Sequence, residues 1–171
     1  MAKLQDIIQW CDQTLKSTEF KDYAPNGLQI EGKTEVRKIL AAVTASQDAI
    51  DAAIRENADL LLVHHGYFWK GEAYPITGMR GKRIKSLIQH DISLLAYHLP
   101  LDSHPSLGNN AAIADLLKLE RIEALDPSER HPIGNIGYLK QPMPVEEFKT
   151  FVSEKLKFDV THLPADKNMI E

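Results

Sequence analysis

The sequence predicts an α/β fold: a parallel or mixed sheet flanked by helices, followed by the start of a second α/β lobe. Three observations predict it. Residues 60–63 (Leu-Leu-Leu-Val) and 92–97 (Ile-Ser-Leu-Leu-Ala-Tyr) are short apolar runs with sharp ends, the pattern of strands buried on both faces. Between them, residues 79–90 carry Ile84, Leu87 and Ile88 at helical spacing. A strand, a helix and a strand in this length imply a crossover connection that leaves the two strands parallel.

The elements follow in order. Leu4, Ile7, Ile8, Cys11 and Leu15 form the apolar stripe of an N-terminal helix, with Cys11 as a small core residue. Asp22-Tyr23-Ala24-Pro25-Asn26-Gly27 is rich in turn formers and leads into a short strand at Leu28-Gln29-Ile30, so Asp22 and Asn26 are read as shaping the turn, with a functional role as the alternative. Residues 38–44 make the next strand. Thr44-Ala45-Ser46-Gln47 has capping-box spacing ahead of a helix holding Ile50, Ala53 and Ile54. After the two buried strands and their helix, Gly108-Asn109-Asn110 opens a helix with Ile113, Leu116 and Leu117 on its apolar face. The polar, proline-rich stretch 126–132 then reads as a linker, dividing a lobe at 1–126 from a partial second lobe at 127–171. The second lobe is expected to hold a strand at 134–139, a helix starting near Pro144 with Val145, Phe148, Val152 and Leu156 on one face, and a strand at 158–163.

Composition removes several function classes. The 171 residues are 43% hydrophobic and carry a formal charge of −4, which suits a packed core and gives no electrostatic case for nucleic-acid binding. One cysteine excludes a disulfide framework or a cysteine metal cluster. The chain opens directly into its first helix, and no apolar stretch approaches membrane-spanning length. The expectation is a cytoplasmic protein without a membrane partner.

The chemistry lies where the buried strands stop. The first ends in His64-His65-Gly66 and the second in His98, followed by Asp102 and His104. Parallel neighbours put their carboxyl ends side by side, and open α/β sheets bind ligands at that edge. Alternating side chains cannot both address one point from an extended strand, so His64 and His65 are expected to leave the strand in non-extended conformations, with Gly66 providing the turn. Imidazoles with a carboxylate suit zinc or another first-row divalent ion, and an aspartate can bridge two such ions. Tyr67, Phe68 and Trp69 beside the histidines are read either as a stacking surface for a base or as a lid or subunit contact. Arg80, Lys82, Arg83 and Lys85 are read as a phosphate clamp or a solvated helix face. Gly78-Met79-Arg80-Gly81-Lys82 lacks the spacing of a phosphate-binding loop.

Three motifs in order carry a resemblance: Tyr23-Ala24-Pro25-Asn26-Gly27-Leu28-Gln29-Ile30-Glu31-Gly32, Val63-His64-His65-Gly66-Tyr67-Phe68-Trp69-Lys70-Gly71, and His98-Leu99-Pro100-Leu101-Asp102. The chain resembles the YbgI-like, or NIF-three-like, proteins, which carry the label GTP cyclohydrolase 1 type 2 homologue. The resemblance implies a two-lobed α/β protein, a toroidal homohexamer and a dinuclear metal site, with up to two divalent ions such as zinc, iron or manganese per chain. It places the paired metal ligands on His64 and His65 and the bridging aspartate on Asp102. His98 matches a nearby histidine and is expected to act as a ligand or as a catalytic proton shuttle. The family's Gly-His-X-X-X-Glu motif has no counterpart in residues 127–171, since His131 and His162 lack its glutamate spacing. The expectation is therefore a truncated or frame-shifted chain, or a site completed by water, that binds metal weakly or leaves one of two positions empty. Two functions follow. One is a metal-dependent hydrolase that uses metal-activated water on a nucleotide or related small molecule. The other is a non-catalytic metal-binding scaffold or regulatory partner-binding protein.

Overall fold

The computed structural model describes residues 1–164 and 168–171. Contacts divide the chain into two units, Met1–Leu101 and Asp102–Glu171.

The first unit holds β1 (Ala2–Lys3), α1 (Leu4–Leu15), β2 (Gly27–Ile30), β3 (Glu35–Val36), β4 (Ile39–Thr44), α2 (Gln47–Arg55), β5 (Leu60–His65), α3 (Gly78–Gln89), β6 (Ser93–Ala96) and most of the short α4 (Leu99–Asp102). Its four-stranded sheet has the order β2-β6-β5-β4, with β4, β5 and β6 parallel and β2 antiparallel to β6. The sheet is therefore mixed, and β1 pairs separately with β3.

Strand alternation distributes the core between two faces. Leu61, Val63, Leu94 and Ala96 pack with Ile50 and Ala53 of α2 and Ile84 and Leu87 of α3. Leu60, Leu95 and Tyr97 pack with Leu4, Ile8 and Cys11 of α1 on the other face. Leu60, Leu61, Leu94 and Leu95 are each 0% exposed. Burying each such side chain stabilises by about 1.5–3 kcal/mol, which gives the central strands a firm hold on the histidines that follow them. The helix cap differs from the expected one. The Ser46 hydroxyl, not Thr44, accepts from the Ala49 backbone N–H, at 3.2 Å. Thr44 remains in β4, paired with His65.

The second unit holds α5 (Asn109–Leu116), β7 (Glu120–Ala124), β8 (Asn135–Tyr138), β9 (Met143–Pro144), α6 (Val145–Leu156) and β10 (Met169–Ile170). β7 and β8 form an antiparallel hairpin, so the proline-rich stretch expected to link two lobes is the loop within it. The contact division falls earlier than residue 126 for this reason: the strands on either side of that loop pair with each other. β7 was not expected, because Glu120-Arg121-Ile122-Glu123-Ala124 carries little apolar alternation. Its register shifts at a bulge between Glu120 and Glu123, and the Arg121 guanidinium lies 4.0 Å from the centroid of the Tyr138 ring. The strand expected at 158–163 does not form. β9 instead pairs with β10, and Pro144 is the residue that caps α6. The apolar face expected for α5 is covered only in part: Leu117, just past its end, is buried, while Ile113 and Leu116 are exposed.

Candidate metal centre

The two buried strands deliver their histidines to one place. His64, His65 and His98 each offer a ligand atom, and these atoms all lie within 4.8 Å of one another. The ring centroids of His64 and His65 are 4.3 Å apart, and those of His64 and His98 are 5.0 Å apart.

His64 and His65 reach this arrangement without leaving the strand, which corrects the expectation of non-extended conformations. β5 runs through His65. Alternation fixes where each Cβ starts, but an imidazole at the last rungs of a strand extends past the sheet edge, where no further residue separates the two faces. Gly66 has a different role from the one expected. Its φ is not positive, and a Cβ there would collide with Gln29 Oε1 and stand 2.8 Å from Ala96 Cβ. The close approach of β2 and β6 requires the glycine. Gln29 uses the space by accepting from the Tyr67 backbone N–H at 2.7 Å.

Each ring is held from behind. His64 Nδ1 donates to the Tyr97 carbonyl at 3.0 Å, and His98 Nδ1 donates to Asp22 Oδ1 at 2.8 Å. A carbonyl and a carboxylate only accept, so both rings carry their proton on Nδ1, which makes Nε2 the lone-pair nitrogen. His65 Nδ1 shares a hydrogen bond of 3.2 Å with Thr44 Oγ1. Metal-binding histidines are oriented by such partners on the other ring nitrogen.

Asp22, read from sequence as a turn former with a functional role as the alternative, does more than shape its turn. Its carboxylate also accepts from Asn26 Nδ2 and from the backbone N–H groups of Leu99, both at 2.9 Å, and of Tyr23. Its side chain is 3% exposed. Burial pushes the Asp22 carboxyl up, and the hydrogen bonds from His98, Asn26, Leu99 and Tyr23 more than offset this, holding it below the usual carboxylate range. Asn26 Oδ1 accepts from the His98 backbone N–H at 2.7 Å.

The aromatic run separates into three roles. Tyr67 is buried, and its hydroxyl donates to the Ala45 carbonyl at 2.7 Å. Burial, partly countered by the Arg83 charge, pushes that hydroxyl up to about 12, so it stays a donor. Trp69 stands edge-on to His98 with centroids 4.9 Å apart, and its indole N–H donates to the Gly66 carbonyl. Phe68, at φ 66°, is the exposed member.

The other expected groups are placed as follows. Arg80 pairs with Glu72 at 2.7 Å and donates to the carbonyls of Ala73 and Pro75, bracing its own loop instead of forming a phosphate clamp. Lys82 and Lys85 are exposed along α3. His104 Nδ1 accepts from the backbone N–H groups of Ser106 and Leu107, which commits that nitrogen to a local turn. Asp102 ends α4, and its Oδ1 accepts from Asn109 Nδ2 at 2.7 Å.

The donor chemistry fits a divalent ion. Nitrogen donors at about 2.0–2.1 Å from one zinc ion stand no more than about 4.2 Å apart, and dinuclear sites spread their donors further. Ligand atoms that lie within 4.8 Å of one another could hold a metal ion. Among the described residues, no helix is long and apolar enough to cross a membrane.

Known proteins are similar to this chain in sequence and fold. A "GTP cyclohydrolase 1 type 2 homolog" from Haemophilus influenzae is 52% identical over 152 residues, covering 88% of this chain and 60% of that protein. The solved structure of "protein ybgI, unknown function" superposes with a TM-score of 0.85 at 45% identity, covering 91% of this chain and 61% of that one. TTHA1606 from Thermus thermophilus gives a TM-score of 0.78 at 34% identity, covering 91% and 60%. The chain thus spans about 60% of the length of the curated relatives it matches. The Duf34/NIF3 (NGG1p interacting factor 3) family profile matches residues 2–171, and the chain belongs to that family.

Proposed function

We propose that this chain carries the metal-binding part of a metal-dependent hydrolase, with His64, His65 and His98 holding a divalent ion. The observation that carries the reading is the convergence of the three imidazoles, two of them fixed by acceptors on Nδ1. An ion held by these residues would supply Lewis acidity and an acidified water, the chemistry that hydrolysis at a carbon or phosphorus centre of a nucleotide or related small molecule needs. The protein's part is to orient. β5 carries His64 and His65, β6 leads into His98, Tyr97 and Asp22 fix two rings, and Trp69 packs against the His98 ring.

His98, expected to be a ligand or a proton shuttle, is the third donor in this reading because its ligand atom lies within 4.8 Å of those of His64 and His65. Asp102 as a bridging carboxylate, and with it a second ion, rests on the family resemblance. The same resemblance supports a hexameric ring of two-lobed chains, and a cytoplasmic location is part of this proposal. Exposed Ile39 and Val43 on the edge strand β4 are consistent with self-association.

Turnover of a panel of nucleotides and phosphoesters, with and without added Zn²⁺, Mn²⁺ or Fe²⁺, tests the proposal. Metal-stimulated hydrolysis that His64→Ala abolishes supports the hydrolase. Metal uptake without turnover selects the non-catalytic scaffold instead.

A further inference from the structure

We infer that Asp22 is a positioning residue for the candidate metal centre: its buried carboxylate holds the His98 ring so that Nε2 is the donor nitrogen. The inference rests on the metal reading above. Asp22 reaches 76 residues along the chain to grip His98 at 2.8 Å, and it also accepts from the Leu99 backbone N–H. Asn26 holds the same point through the His98 backbone N–H while donating to Asp22 Oδ2. A carboxylate that shaped only its own turn would need Tyr23 and Asn26 and nothing from the far strand.

The charge argument points the same way. Three neutral imidazoles bring no negative charge to a dication, and Asp22 places one a single hydrogen bond behind the donor ring. The grip extends to the aromatic loop, because the Lys70 backbone N–H donates to the Tyr23 carbonyl at 2.6 Å. Trp69, the next residue back, stands against His98. Asp22, Asn26 and Trp69 therefore hold this histidine from several sides, with Lys70 tying their two segments together.

Zn²⁺ alone, titrated in competition with a chromophoric chelator, tests the role in wild type, Asp22→Asn, His98→Ala and the double variant. Asp22→Asn keeps the side-chain shape and should weaken Zn²⁺ binding about 10–100-fold, the usual effect of losing a partner behind a ligand. The double variant should bind no more weakly than His98→Ala, since Asp22 acts through that ring. Independently of metal, ¹⁵N shifts of the wild-type His98 ring should report the Nδ1–H tautomer. Unchanged affinity in Asp22→Asn, additive losses in the double variant, or an Nε2–H tautomer would each overturn the inference while leaving the metal reading in place. Wild-type protein that takes up no Zn²⁺ would overturn both.

Discussion

Two carboxylates, Asp22 and Asp59, sit at opposite ends of the same sheet and are held in opposite ways. At the amino ends of the parallel strands, Asp59 pairs with Lys33 at 2.8 Å and accepts from the backbone N–H groups of Arg37 and Lys38. At the carboxyl ends, Asp22 takes three N–H donors and an imidazole as partners, with no lysine or arginine among them. Both carboxyls are held below the usual range. Asp59 meets a resident cation and ties strand starts together. Asp22 meets a ring that itself belongs to a cluster of cation donors. On the proposed reading, the amino edge serves stability and the carboxyl edge receives a cation.

That contrast can be broken most directly at His64. Its replacement by alanine removes a donor and should weaken Zn²⁺ binding by more than about 100-fold, while leaving metal-free thermal unfolding close to wild type. A large drop in metal-free stability would place His64 with the structural edge instead.

Asp59→Ala should do the reverse. Two strand-start N–H groups and Lys33 lose their acceptor, so chemical denaturation should show a loss of about 2 kcal/mol with Zn²⁺ affinity unchanged. The pH dependence follows from the direction of the shift. The hydrogen bond from Lys33 contributes most to lowering the Asp59 carboxyl, followed by the Arg37 N–H; burial opposes them. A lowered folded value gives stability that is present above the unfolded value of about 3.9 and is lost as pH falls through the folded value. The gap between wild type and variant should therefore be full at neutral pH and close in that acidic window.

Smaller effects separate the edges further. Thr44→Val removes the hydroxyl partner of His65 and should weaken Zn²⁺ binding about 5-fold, as expected for one neutral hydrogen bond of about 1 kcal/mol. Lys33→Ala should cost only about 0.5 kcal/mol, because the lysine is half exposed and water screens the pair.

The sequence shows this carboxyl edge more clearly than it shows what supports it. Two apolar runs ending at His64-His65 and His98 locate the strands, their direction and their shared edge, because buried parallel strands leave a strong local signature. Asp22 is hidden by its own surroundings: in Asp-Tyr-Ala-Pro-Asn-Gly it looks like any turn former, and its partner lies 76 residues away. Only the antiparallel placement of β2 against β6 brings the two together. The second unit is less legible for a related reason. Glu120-Arg121-Ile122-Glu123-Ala124 becomes a strand through pairing with β8, whereas residues 158–163, with better strand residues, pair with no strand among the described residues.

The central claim is that the carboxyl edge is a metal centre built on three histidines. X-ray absorption at the zinc edge, on protein loaded with one equivalent of Zn²⁺, tests it most directly. The account predicts two or three imidazole nitrogens at about 2.0–2.1 Å, with one lost in His98→Ala. A spectrum without imidazole scattering, or one that His64→Ala, His65→Ala and His98→Ala all leave unchanged, would contradict it.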